Sequence, residues 1–77
     1  MADPGRVLYF ELAAPLAFLL HYKDSEDDGL REAVAIGLGR YYNESGVATL
    51  IESMTEDRSP AVRRAANTTL VEKRDVD

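Results

Sequence analysis

The sequence has no cysteine and no tryptophan, and it has a single histidine. Without cysteine, the chain cannot form disulfide bonds, thiolate nucleophiles or cysteine-ligated metal sites. His21 has no nucleophile at a recognisable spacing that it could activate as a general base. We therefore expect no catalytic residue, no metal site and no cofactor, and a protein that is not an enzyme.

The chain also lacks a hydrophobic run that could cross a bilayer. Its longest apolar stretch, residues 7–20, is interrupted by Glu11 and Pro15, and a membrane-spanning helix needs about 20 apolar residues. The first residues, MADPGR, have neither the basic nor the apolar region of a signal peptide. We therefore expect a soluble, cytoplasmic protein without a membrane span.

Basic residues are the minority among the charged ones. The chain has 9 Lys and Arg residues against 14 Asp and Glu residues, a formal net charge of −5. No continuous basic stripe emerges from the sequence, so neither nucleic acid nor an anionic membrane surface is an expected partner.

The 77 residues are 45% hydrophobic and 30% charged, which is typical of a globular protein. A chain of this length forms one small domain and buries only about 60% of its unfolded surface. We therefore expect that a partner or a second copy supplies part of its stability.

Residues 57–70, DRSPAVRRAANTTL, have the pattern of a helix start followed by a helix. Ser59 is placed to cap the first turn, and Pro60 takes the first helical position, where its missing N–H costs nothing. The small or apolar residues that follow lie at helical spacings 0, 3, 4, 7 and 8; they are Val62, Ala65, Ala66, Thr69 and Leu70.

Three further helices are predicted upstream. Pro15 opens one that ends near Tyr22, Asp27 or Asp28 caps one whose apolar stripe extends from Leu30 to Tyr41, and a short one carries residues 47–54. No segment alternates with a period of two. The predicted fold class is all-α.

Two of the predicted helix pairs repeat with an offset of 32 residues, which separates Leu30 from Val62 and Arg31 from Arg63. Repeated helix pairs are typical of an α-solenoid, in which each pair covers its neighbour. We predict one domain over residues 1–77. Residues 14–45 and 46–77 form its two repeats, and residues 1–13 form an N-terminal cap helix or interface segment.

The stretch DRSPAVRRAANTTL resembles the centre of a HEAT repeat: an acidic turn, a proline, Val-Arg, small residues and a closing leucine. The 32-residue unit is shorter than the roughly 40–47 residues of long HEAT repeats and is similar to the short repeats of phycobilisome lyase-type proteins. The resemblance covers about residues 14–73. It implies an α-α superhelix of about two HEAT-like helix pairs plus an N-terminal helix, and protein binding rather than a reaction.

The same resemblance implies a structural role for three charged residues. In that family, the aspartate of the turn and an arginine of the second helix form a ladder between successive repeats. Asp57 and Arg63 match those positions in the second repeat, and Arg31 matches the arginine in the first. Ser25 stands where the first repeat would have its aspartate, so the first repeat lacks the carboxylate of the ladder.

Two surfaces are candidates for binding a partner protein. The first is the N-terminal run, which has more apolar surface than one helix face can bury; its candidate residues are Tyr9, Phe10, Phe18, Leu19 and Tyr22. The alternative is that residues 7–13 fold back and cap the first repeat. The second surface is the exposed side of the second helices, with Glu32, Arg64 and Asn67.

We therefore predict a non-catalytic protein–protein interaction module that acts as a homo-oligomer or as an accessory subunit of a larger assembly. The resemblance leaves one alternative open, an accessory or lyase-like protein for attaching a tetrapyrrole (bilin) to a partner protein. Tyr41 and Tyr42 are its candidate aromatic contacts, because all other aromatic side chains lie in residues 9–22.

Overall fold

The computed structural model describes residues 4–74, a part of the chain with five α-helices, one 3-10 helix and no strand. The helices are α1 (Pro4–Leu12), α2 (Leu16–Tyr22), α3 (Asp28–Gly37), the 3-10 helix (Leu38–Tyr41), α4 (Val47–Met54) and α5 (Pro60–Arg74). The prediction of an all-α fold is confirmed. The helix predicted to extend from Leu30 to Tyr41 is not α-helical throughout. The α-helix ends at Gly37, and the chain continues as a 3-10 helix.

Local capping explains where the helices begin. The Asp27 carboxylate accepts hydrogen bonds from the backbone N–H groups of Gly29 and Leu30, at 2.9 and 3.3 Å, and so caps α3. Pro60 is the first residue of α5, as predicted. Gly46 precedes α4 with a φ of 82°, a left-handed conformation that favours glycine.

The helix α3 lies at the centre of the molecule. Its most extensive contacts are with α5 and with α1, and six of its ten residues are buried. The helices α2 and α4 pack against α3 and α5 respectively, so α2–α3 and α4–α5 are the two helix pairs. The largest side chains buried completely in the shared core are Phe10, Leu19, Leu38, Ile51, Val34 and Val62.

The N-terminal helix α1 folds back over the first helix pair. The backbones approach closely at Gly37, where a Cβ atom would lie 2.3 Å from the backbone oxygen of Phe10. Arg40 holds the end of α1, because its guanidinium donates hydrogen bonds to the carbonyls of Phe10, Glu11 and Ala14 at 3.3, 3.2 and 2.7 Å. The last carbonyls of a helix have no intrahelical partner, and Arg40 supplies one for Phe10 and Glu11.

None of the helices between residues 4 and 74 has the length and apolar character needed to cross a bilayer.

Candidate partner-binding site

A largely buried ion pair connects the two helix pairs. Arg31, on α3, donates from Nε and Nη2 to the two carboxylate oxygens of Asp57, which precedes α5, and both distances are 3.0 Å. The Arg31 side chain is 5% exposed and that of Asp57 is 15% exposed. This bidentate geometry is the one that gives an arginine–carboxylate pair its strength and direction.

The environment of this pair favours its charged form. The hydrogen bond from Arg31 holds the pKa of Asp57 below its usual range, against the opposing effect of burial, and the N–H of Ser59 at 2.8 Å adds to the lowering. The same hydrogen bond raises the pKa of Arg31, although burial opposes it. Asp57 is therefore ionised throughout the neutral range.

The arginines 32 residues apart make equivalent backbone contacts. Arg31 donates from Nη1 to the carbonyl of Ser25 at 2.7 Å, and Arg63 donates from Nη1 to the carbonyl of Asp57 at 2.8 Å. Ser25, at the position of the missing aspartate, thus contributes its backbone to the contact. Its hydroxyl accepts a hydrogen bond from the N–H of Asp27.

A groove of about 360 Å³ runs between α3 and α5. Glu32 and Ile36 line it from α3, and Arg64, Thr68 and Glu72 line it from α5; the remaining lining residues are Ala61, Ala65 and Thr69. Most of its surface is apolar, and carboxylates and a guanidinium lie along it. The groove exists because the α5 residues at its base are small, and larger side chains there would fill it.

The structure brings together two of the three second-helix residues singled out in the sequence, Glu32 and Arg64. Asn67 does not line the groove, and its side chain donates to the carbonyl of Arg63 at 2.9 Å. Ile36 and Thr68 were missed. They lie four residues after Glu32 and Arg64, on the same helix faces, so helical spacing could have found both.

The N-terminal candidate residues divide between core and surface. The prediction that all five of them bind a partner is therefore wrong in part. Phe10 and Leu19 are 0% exposed, so they offer no surface to a partner. The reason is that α1 turns Phe10 towards the core, where its ring lies edge-on to those of Phe18 and Tyr22, with centroids 5.1 and 5.2 Å away. Tyr9 remains 44% exposed while its ring contacts Phe18.

Besides Arg6, α1 exposes Gly5, Leu8, Tyr9 and Leu12, and we call these four residues the outer face of α1. These residues lie at helical spacings 0, 3, 4 and 7 and so form one stripe. Leu8 is 54% exposed and Leu12 is 69% exposed. Both residues belong to the apolar N-terminal run, but neither is among its candidate partner-binding residues.

The two tyrosines considered for a tetrapyrrole lie beside a shallow depression of about 610 Å³ that also includes Lys73 and Arg74. The hydroxyl of Tyr41 donates to the carbonyl of Ala14 at 3.1 Å, and the guanidinium of Arg40 lies 5.1 Å from the centre of its ring. Tyr41 thereby helps to fix the end of α1. In residues 4–74, no three His, Asp or Glu side chains come together as a metal site would require.

A family model described as HEAT repeats matches residues 13–76, a range that begins just before α2 and includes both helix pairs. No curated protein and no solved structure matches the chain.

Proposed function

Because the chain belongs to the family of HEAT repeats, we propose that it is a non-catalytic protein–protein interaction module and that its partner binds in the groove between α3 and α5. HEAT repeats are generally protein-interaction modules. The stacked second helices of such repeats line an extended concave surface on which partners bind. The groove takes its lining residues from the second helix of each pair, and this observation carries the proposal.

The chemistry of the groove supports a peptide segment as the bound element. Ile36 is 37% exposed and lies beside small residues of α5, so an apolar side chain of the partner can bury surface there. In the described part of the chain, Glu32 and Arg64 are in no ion pair. Both charges can therefore pair with the partner and select its orientation.

The outer face of α1 supports a role as an accessory subunit rather than a homo-oligomer. Its three large side chains lie on a helix of nine residues, about 13 Å long. Such a face is too small to bury the roughly 1,200–2,000 Å² of a stable interface by itself. We propose that it contributes to a larger contact within an assembly.

The 32-residue offset supports placing the chain among the short, phycobilisome lyase-type repeats. The tetrapyrrole alternative rests on the depression beside Tyr41 and Tyr42, and the hydroxyl of Tyr41 already has an intramolecular partner. We propose binding of protein instead, and we expect no change in bilin absorbance when the protein is added.

The test is capture of partners by the tagged full chain in its host cells, with cross-linking and quantitative mass spectrometry. The groove variant reverses both charges, Glu32→Arg with Arg64→Glu. The matched control reverses two exposed charges outside the groove, Glu44→Arg with Arg58→Glu. Circular dichroism and urea unfolding establish that all forms fold.

We expect partners that are enriched by the wild type and the control and lost at least about tenfold with the groove variant. Equal capture by the groove variant would reject the groove as the binding site. If no form enriches any protein, the chain is not an interaction module.

A further inference from the structure

The helices α3 and α5 run side by side in the same direction. Arg31, near the start of α3, binds Asp57, which precedes α5. Near the other end, a Cβ atom on Gly39, just after α3, would lie 3.0 Å from a methyl group of Thr69 and 3.3 Å from the end of Lys73. The groove between the two helices therefore follows both axes, and its lining residues succeed one another in sequence order.

The charge changes along the groove. Arg64, Thr68 and Glu72 line it from α5 at intervals of one helical turn, about 6 Å. Glu32 follows Arg31 near the start of α3, so it lies at the same end as Arg64, and that end has both signs of charge. Among the described residues that line the groove, only Glu72 is charged at the other end.

The cations next to Glu72 belong to another surface. Lys73 and Arg74 line the depression beside the two tyrosines and not the groove, and Arg74 is paired with Glu52 of α4. Glu72 is exposed and, within residues 4–74, in no ion pair. Its carboxylate can therefore pair with a cation of the partner.

Exposed aliphatic side chains lie about one turn from Glu72. Ile36, on α3, is 37% exposed and occupies the place that Thr68 has on α5, 32 residues later. Val71 is 56% exposed and lies three residues after Thr68, on the same side of α5. An apolar side chain of the partner can bury surface against them, one turn from the Glu72 carboxylate.

An α-helix suits this groove better than an extended segment. Both walls are helices whose backbone N–H and C=O groups are bonded internally, so they offer few partners to the backbone of an extended peptide. A helix satisfies its own backbone groups. It also presents side chains at intervals of one turn, which is the spacing of the lining residues on α5.

We propose that the groove binds an amphipathic α-helix of a partner protein, in which an apolar residue against Ile36 lies one turn from a lysine or arginine that pairs with Glu72. The inference rests on the proposed interaction function and names the kind of segment that the groove selects. Charge favours this occupant, because the groove is lined by two carboxylates and one guanidinium and the chain has a net charge of −5.

The test is a titration of the full chain, labelled with ¹⁵N, with blocked, alanine-based helical peptides, followed by the backbone amide NMR signals. The probe peptide has a leucine and a lysine one turn apart on the same face. The first control has the same composition with the lysine on the opposite face, and so the same net charge. The second control has a proline in the central turn, which breaks the helix.

We expect the probe to move the signals of Ile36, Thr68 and Glu72 saturably in the millimolar range. The first control should need about three to five times the concentration, and the second at least about ten times. Unmoved groove signals, or equal binding of either control, would overturn the proposal. Groove signals that move with protein concentration alone would also overturn it, because a second copy would then occupy the groove.

Reversing one charge on each side tests the role of Glu72 directly. Glu72→Lys should weaken binding of the probe at least about fivefold, and it should bind a peptide with glutamate in place of lysine more tightly than the wild type does. Glu44→Lys is the matched control, because Glu44 is exposed, lies outside the groove and gives the same change in net charge. Equal effects of the two variants would mean that Glu72 does not select the ligand.

Partner capture separates this inference from the proposed function. With Glu72→Lys, partners should be captured at least about threefold less, while Glu44→Lys captures them fully. Full capture by Glu72→Lys, together with loss in the groove variant, overturns the selection of a basic helix and leaves the groove function standing. Capture that survives in both variants rejects the groove, and this inference with it.

Discussion

At the scale of single residues, the ion pair of Arg31 and Asp57 has the largest expected effect on stability. Removing one charge of a buried pair leaves the other without compensation, which costs about 3–5 kcal/mol. Because the amide in Asp57→Asn still accepts a hydrogen bond, we expect this variant to lower the free energy of unfolding by about 3 kcal/mol. Urea unfolding measures the difference.

The matched control for this prediction is Glu52→Gln, which removes an ion pair with Arg74. Those side chains are 53% and 56% exposed, and exposed pairs contribute at most about 1 kcal/mol. If Asp57→Asn were no more destabilising than Glu52→Gln, the connection between the helix pairs would not depend on this carboxylate.

The same pair predicts a pH dependence with a definite sign. The pKa of Asp57 is lower in the folded chain than in the unfolded chain, where it is about 3.9. Its contribution is therefore complete above the unfolded pKa and is lost as the pH falls through the folded pKa. We expect the difference in unfolding free energy between wild type and Asp57→Asn to be constant from about pH 5 to 8 and to shrink below about pH 4.

Urea unfolding of both proteins at a series of pH values measures this difference. Taking the difference removes the titration of the other carboxylates that the two proteins share. A difference that stayed constant down to about pH 2 would contradict a carboxylate whose ionised form is stabilised by folding.

At the scale of the helices, α1 depends on close contact with α3 at Gly37. In Gly37→Ala the added Cβ would lie 2.3 Å from the backbone oxygen of Phe10, so α1 must shift. We expect the free energy of unfolding to fall by about 1–3 kcal/mol. Relative to the wild type, hydrogen exchange should accelerate more for the α1 amides than for the α5 amides.

Gly39→Ala is the control, since its added Cβ would lie 3.0 Å from a methyl group of Thr69 and 3.3 Å from the flexible end of Lys73. The end of Lys73 is flexible and the methyl group of Thr69 needs to move by only a few tenths of an ångström, so we expect the free energy of unfolding to change by less than about 1 kcal/mol. Similar losses for the two variants would mean that α1 does not depend on close approach at Gly37.

At the scale of the whole molecule, an accessory subunit should fold alone and remain monomeric. The outer face of α1 is too small for a stable homodimer, while α1 completes the core with Phe10. We expect a helical monomer at micromolar concentrations, measured by light scattering during size-exclusion chromatography and by circular dichroism.

Leu12→Gln is the control for this measurement, because Leu12 is the most exposed large apolar residue in the described part of the chain, at 69%. We expect the same mass and stability within about 0.5 kcal/mol. A wild-type dimer that Leu12→Gln dissociates would contradict the prediction and make the outer face of α1 a self-association interface.

Part of the candidate site could be predicted from the sequence, but the full set of residues that line the groove could not. Glu32 and Arg64 were identified as exposed positions on the second helices, and both line the groove. Asn67 was placed with them, although its amide is bound to the carbonyl of the preceding turn. Helical spacing shows which residues share a face of one helix. Which of them face the groove depends on how α5 is rotated about its axis where it packs against α3.

The features that depend on local interactions could be predicted from the amino-acid sequence. The starts of α3 and α5 follow from Asp27 and Pro60, which act on the backbone of the adjacent turn, and the 32-residue offset follows from apolar spacing. These effects involve neighbours within about one helical turn, so they can be read along the chain. The all-α fold and the HEAT-repeat family are confirmed for this reason.

Which side of α1 is buried depends on how the helices pack and could not be predicted from the sequence. That helix has large apolar residues on both sides, Phe10 on one and Leu8 and Leu12 on the other, so periodicity cannot select between them. The choice follows from the close approach at Gly37 and from the bonds of Arg40 to the end of α1. Arg40 lies 26 residues from Ala14 in the sequence, and a contact between such distant residues depends on how the helices pack.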